Sequence, residues 1–279
     1  VTARALGGRA LAQGVRETVA TRLTRHLDAG GRPPRVVAFT VRPDPAVRAY
    51  LDGQARAAAK AGLAWRIEAG DGDESTAQAR DRLARLCDDP AVDGVVVAWP
   101  MPAGVDGERV LEALDPHKDV DALGPACLGR LAVDRSARAP ATARAVMAVL
   151  QDGVGELAGR RVTLVGKGRT AGMPTLFLLL HAGAVVEVLH SRAGDLGPRV
   201  READILVSCV GRPGLVRAAD VRPGAVVVDV GMAEVEGSLV GDVEPAVADT
   251  AAAYTPVPGG VGPVTLALLL DNALAVAGA

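Results

Sequence analysis

Aromatic side chains are almost missing from this chain. Its 279 residues include two Phe, two Trp and two Tyr, so Ala, Val and Leu must fill any core. Cysteine is scarce too: Cys87, Cys127 and Cys209 are far apart, with no Cys-x-x-Cys pair and no histidine at ligand spacing. That rules out a disulfide scaffold, speaks against a metal site and fits free thiols in a reducing cytoplasm. Neither sign of charge dominates. Lys and Arg number 31 against 33 Asp and Glu, a net charge of −2, which leaves no electrostatic footprint for nucleic acid or an anionic membrane. Apolar runs such as Val95–Ala98 and Val226–Val228 are far too short to span a bilayer. Residues 1–16 carry charges but lack the apolar stretch of a signal peptide. The expectation is a cytoplasmic globular protein acting on small molecules.

What is present is a globular composition, 49% hydrophobic and 23% charged, with ample apolar material for a core. Helical and strand-like segments alternate. Helical periodicity covers Ala10–Ala29, Pro45–Gly62 and Gly107–Leu114, and short apolar strands are expected at Arg35–Val41 and Val92–Ala98. A polar stretch rich in Pro and Gly, Asp115–Pro140, interrupts the pattern. Beyond it a helix at Thr142–Gln151 precedes a cleaner series: strand Arg161–Val165, helix Met173–Ala182 and strand Val185–Leu189, then strands Ile205–Cys209 and Ala225–Val230. Such alternation predicts an α/β protein with parallel sheets covered by helices. The break near residue 140 predicts two domains: residues 1–140 together with 253–279, and residues 141–252. The final apolar helix is expected to return to the first domain.

The strand Arg161–Val165 runs directly into Gly166-Lys167-Gly168-Arg169-Thr170-Ala171-Gly172, followed by Met173-Pro174. Glycines let backbone N–H groups approach a pyrophosphate, and a helix N-terminus adds positive partial charge. Pro174 suits the first helical turn. The spacing is GxGxxxG, and taken alone it also fits a tight turn with no ligand. The next strand adds weight. Where an NAD-binding domain places Asp or Glu on the ribose, this chain has His190-Ser191-Arg192. A hydroxyl and a guanidinium, with Lys167, suit a 2′-phosphate, so NADP is expected over NAD.

Several strings then converge on one family. Lys118 followed by Asp119-Val120-Asp121, the block Val95–Pro102 (VVVAWPMP) and Thr255–Pro263 (TPVPGGVGP) resemble the methylenetetrahydrofolate dehydrogenase/cyclohydrolases. So do Arg201–Pro213 (READILVSCVGRP) and Arg222–Gly231 (RPGAVVVDVG). Their order and spacing hold from about Leu6 to Asn272. The resemblance implies an N-terminal α/β catalytic domain, a Rossmann-like NADP-binding domain, a cleft between them and a homodimer. It implies hydride transfer from 5,10-methylenetetrahydrofolate, then hydrolysis of the methenyl cation to 10-formyltetrahydrofolate. Tyr50 matches the tyrosine lying against the p-aminobenzoyl ring, and Asp121 the carboxylate that binds pterin N–H donors. Ala98, Trp99 and Pro100 fall in the substrate pocket. Pro258, Gly259, Gly260, Gly262 and Pro263 match the loop closing over the substrate. Gly166, Lys167, Gly168, Arg169, Gly172, Ser191 and Arg192 form the cofactor set, to which the resemblance adds Val210, Gly211, Pro213 and Gly231. Tyr50 as a core residue, and Asp121 as a cap or turn residue, are the structural alternatives.

The sequence also departs from the family. The family's catalytic lysine lies four residues after the tyrosine, and this chain has Gln54 there. Positions 50 and 54 are one helical turn apart and share a face. An amide cannot cycle a proton near neutral pH. The lysine's partner glutamine is replaced by Ala98, the following leucine by Trp99, and the serine before the tyrosine by Val47; the family's PCTP-like string reads Pro140-Ala141-Thr142-Ala143. The resemblance with these changes implies a dehydrogenase, with Tyr50, Gln54 and Asp121 at its centre, that has lost cyclohydrolase activity. Two alternatives stay open: a repurposed oxidoreductase for a non-folate amine, imine or hydrazine, and a non-catalytic relative.

Overall fold

The structure is a computed structural model that describes residues 3–279. In chain order it begins β1 (Arg4–Ala5), α1 (Arg9–Asp28), β2 (Arg35–Thr40), α2 (Pro45–Ala61) and β3 (Ala64–Ala69). Next come α3 (Thr76–Asp88), β4 (Gly94–Val97), α4 (Gly107–Leu111), α5 (Pro125–Val133) and α6 (Ala141–Gly153). Then follow β5 (Arg161–Val165), α7 (Gly172–His181), β6 (Val185–Leu189), α8 (Gly197–Val200) and β7 (Ile205–Ser208). The chain ends with β8 (Val226–Asp229), β9 (Ala233–Val235), β10 (Ser238–Val240), β11 (Ala253–Tyr254) and α9 (Val261–Val276). Among the described residues no helix is long and apolar enough to cross a membrane.

The chain divides into two compact units. One comprises the segment ending at Gln13 and Ala141–Thr265, the other Gly14–Pro140 and Leu266–Ala279. Strand β11 pairs in parallel with β8, and β1 pairs in parallel with β11, so both chain segments extend the sheet of the later unit.

The Gly14–Pro140 unit contains a parallel three-stranded sheet in the order β3-β2-β4. An isolated parallel bridge joins Val95 to Asp119. Phe39, Leu83, Leu111, Val95 and Val97 form its buried centre. Asp44 caps α2 by accepting the Val47 N–H at 2.8 Å, with Pro45 at the first helical position, a strong start signal. Ser75 and Gln78 form a capping box on α3, and each satisfies an orphan donor of the first turn.

The other unit carries a six-stranded parallel sheet ordered β1-β11-β8-β7-β5-β6. Chain order reverses between β5 and β7, the switch point at which doubly wound sheets bind ligands beyond their strand C-termini. Beyond β8, β9 and β10 form a hairpin whose turn residues Glu236 and Gly237 both have positive φ, the geometry that suits a tight hairpin.

Candidate active site

In the Gly14–Pro140 unit the candidate residues gather beyond the C-terminal ends of β2 and β4. Strand β2 leads into the capped start of α2, whose second and third turns present Tyr50 and Gln54. Gln54 is buried, whereas Tyr50 is 52% exposed. The Gln54 amide lies beside the Tyr50 hydroxyl and favours its ionised form. Burial around that hydroxyl and the nearby charge of Asp121 push the phenol above its ordinary value, so Tyr50 stays neutral and polar near pH 7. The second Gln54 amide atom, Oε1, is enclosed and has no hydrogen-bond partner.

Asp121 is half-buried and stands on a turn held by a different carboxylate. Asp119 is buried, and it accepts the backbone N–H of Leu123 at 3.1 Å and of Gly124 at 2.7 Å. Ala122, between them, has φ 49°, a left-handed conformation that an L residue adopts only where its surroundings demand it. Tyr50, Gln54 and Asp121 are thus brought together. After β4, the Ala98 N–H donates to Phe39 O at 2.9 Å, and the Trp99 ring lies where a side chain on Gly107 would otherwise go. The Trp99–Pro100 peptide bond is cis.

The remaining sequence-derived residues lie in the other unit. Gly166 ends β5 with φ 106°, and its N–H donates to Leu189 O at 2.8 Å. A Cβ on Gly172 would stand 2.4 Å from Gly166 O and 2.7 Å from Lys167 Cα. Glycine there lets α7 start hard against the loop. Beside Gly168 the protein leaves open space, which a ligand backbone can approach. Lys167, Gly168, Ser191 and Arg192 are exposed; Arg169 is partly buried, and desolvation lowers its pKa. After β6 come His190, Ser191 and Arg192, with no carboxylate before Asp195. Val210, Gly211 and Pro213 lie beyond β7, and Gly231 beyond β8. All stand at strand C-termini flanking the switch point, and the cradle left by Gly166, Gly168 and Gly172 fits a dinucleotide phosphate. Pro258, Gly259, Gly260, Gly262 and Pro263 form the loop leading into α9, with Gly259 at φ 111° and the Gly8 N–H donating to Gly259 O at 2.9 Å.

Known proteins give this geometry a family. The tetrahydrofolate dehydrogenase/cyclohydrolase catalytic-domain profile matches residues 6–121, and the family's NAD(P)-binding-domain profile matches residues 140–279. The chain belongs to this family. The bifunctional protein FolD of Parafrankia sp. is 44% identical over 278 residues, covering 99% of each chain. The crystal structure of the bifunctional FolD enzyme of Campylobacter jejuni superposes with a TM-score of 0.91 at 31% identity, covering 98% of each chain. The Trypanosoma brucei enzyme, solved with NADP cofactor and inhibitor, also gives 0.91, at 34% identity over 100% of this chain and 98% of that one.

Within the family fold, sequence reasoning passed over two buried carboxylates. Asp229, at the end of β8, accepts the N–H groups of Gly231, Asp242 and Val243 at 2.9–3.1 Å. Asp242 is fully buried and accepts from Ser208 Oγ, Val210 N and Arg212 N. Their signal was glycine: a Cβ on Gly231 would lie 2.0 Å from Asp242 Oδ1, and one on Gly241 2.0 Å from Asp229 Oδ2. Desolvation, with help from the charge of Asp242, pushes Asp229 from 3.8 up to about 6.

A raised carboxyl pKa means that folding favours the protonated form. Below about pH 4 both states are protonated, and between about 4 and 6 only the folded state holds the proton. The contribution of Asp229 to stability therefore falls as pH rises through that window, by about 3 kcal/mol. In urea unfolding, wild type minus Asp229→Asn is expected to decline by that amount between pH 4 and pH 7. A pH-independent difference would contradict the shift.

Proposed function

We propose that the chain is an NADP-dependent methylenetetrahydrofolate dehydrogenase, acting on a CH–NH-type donor, that has given up the cyclohydrolase step. Gln54 carries this reading. It is a buried amide beside the Tyr50 hydroxyl, at the position where the family has lysine, and the partner glutamine is replaced by Ala98.

Oxidation removes a hydride, with both electrons of the C–H bond, from the methylene carbon of 5,10-methylenetetrahydrofolate and leaves the methenyl cation. No proton has to move through the protein. When bound, NADP+ supplies the hydride acceptor. The work left to this chain is orientation, which is a large share of such catalysis. The half-exposed Tyr50 ring offers a face to the p-aminobenzoyl group, and Asp121 accepts the pterin N–H donors. Ser191, Arg192 and Lys167 suit the 2′-phosphate. Hydrolysis needs more, because the attacking water must lose a proton. The Gln54 amide cannot take it, and Tyr50 remains a phenol at neutral pH. The family resemblance adds a homodimer in the cytoplasm, which light scattering and cell fractionation test.

The deciding experiment follows NADPH and the methenyl chromophore at two wavelengths after mixing protein, NADP+ and 5,10-methylenetetrahydrofolate. NADPH growth with a methenyl band decaying no faster than without enzyme supports the reading. Accelerated decay overturns the loss of hydrolysis. The packing of Trp99 against Gly107 favours one second reading, a refilled pocket for another C–N or N–N hydride donor. NADP+ binding without any turnover of the folate would select it. Gln54→Lys alone is expected to leave hydrolysis at the uncatalysed rate, since no partner at position 98 tunes the lysine's ionisation. Accelerated methenyl decay in that single variant would refute this assignment of roles.

A further inference from the structure

Asp242 is fully buried, yet its partners are one hydroxyl and two backbone N–H groups. Oδ2 accepts from Ser208 Oγ at 2.8 Å and from Val210 N at 2.7 Å, and Oδ1 accepts from Arg212 N at 2.7 Å. These donors bracket Gly211, which has φ 77° and only Met232 O, at 4.0 Å, near the place a Cβ would take. Asp242 is fixed in turn, because its own N–H and that of Val243 donate to Asp229 at 3.1 and 2.9 Å. Glycines at 231 and 241 provide the notches into which the two carboxylates fit.

A buried carboxylate is expensive to desolvate, and three converging donors are what offset that cost. A loop needing only closure could use main-chain carbonyls instead. Here the charge sits beyond β7, on the far side of the switch point from β6. In a doubly wound sheet one mononucleotide half binds on each side of that point, with the adenosine ribose at the β6 end.

We infer that Asp242 is a positioning residue for the nicotinamide half of the cofactor site: it holds Val210, Gly211 and Arg212 in the shape that receives the dinucleotide, without contacting it. This rests on the proposed placement of the cofactor at Val210 and Gly211. Ser208 serves the same purpose through its single bond to Asp242.

The test compares two probes by calorimetry, NADP+ and 2′,5′-ADP, which carries only the adenosine half and its 2′-phosphate. Asp242→Asn keeps the volume but turns an N–H group toward N–H donors. It is expected to weaken NADP+ by about tenfold or more and raise the KM for NADP+, while 2′,5′-ADP affinity and the KM for the folate stay unchanged. Ser208→Ala removes one bond of the three and gives a smaller loss with the same selectivity; it carries the comparison should Asp242→Asn not fold. Equal loss of both probes marks Asp242 as general scaffolding and overturns the inference, as does unchanged NADP+ affinity. If the wild type binds neither probe, the cofactor placement fails and this inference falls with it.

Discussion

Gly172→Ala is expected to abolish NADP+ binding and to lower the melting temperature. The added methyl would lie 2.4 Å from Gly166 O and 2.7 Å from Lys167 Cα. Both are backbone atoms, so neither can rotate aside. Gly166 is itself held at φ 106° with its N–H bonded to β6, so the strain must displace either the loop or the start of α7. Overpacking of this kind costs about 1–3 kcal/mol. The functional loss is larger, because displacing the loop or the start of α7 distorts the surface that receives the phosphates. Gly168→Ala is the control: its Cβ meets nothing within 4 Å, so melting should be unchanged and any weakening of NADP+ comes from the ligand's own approach. Thermal melts followed by circular dichroism, with NADP+ titrations, check both. Saturable NADP+ binding by Gly172→Ala at wild-type affinity would remove this loop from the cofactor site.

The second large effect separates two aspartates that stand two positions apart. Asp119→Ala leaves the buried N–H groups of Leu123 and Gly124 without acceptors. At roughly 1–3 kcal/mol for each abandoned donor, about 3 kcal/mol of stability should go, and the turn that presents Asp121 should go with it. Asp121→Ala acts on the ligand. It is expected to melt close to wild type and to lose folate oxidation by about a hundredfold, the scale of a misoriented reactant. Urea unfolding and steady-state rates on both variants distinguish these outcomes. Comparable instability in the two variants would show that Asp121 also supports the turn.

Much of the nucleotide-binding unit was legible because strands such as Arg161–Val165 and Ile205–Ser208 are almost wholly buried and so read as short apolar runs. Val185–Leu189, at the sheet edge and only partly buried, is found at its expected bounds as well. The earlier unit was harder. Strand β3, Ala64–Ala69, is only partly buried, so it shows no apolar run. Helix α3 was passed over although Ser75 and Gln78 spell a capping box. Helix α5 hid within the stretch read as irregular, where Gly124-Pro125 marks a helix start rather than a loop. Within the site, the family resemblance pointed to Tyr50, Gln54 and Asp121, which the fold brings close together. Asp119, Asp229 and Asp242 were not recognised because their partners are mostly backbone N–H groups. Such groups exist at every position and leave no mark on a sequence.

The scarcity of aromatic residues has an optical consequence. Trp65 and Trp99 both lie in the Gly14–Pro140 unit, while the unit with the six-stranded sheet has only Tyr254 and Phe177. Tryptophan emission therefore reports on one unit alone. Trp99 follows β4 in the same unit as Tyr50, Gln54 and Asp121. The nucleotide-binding sheet unfolds almost in the dark.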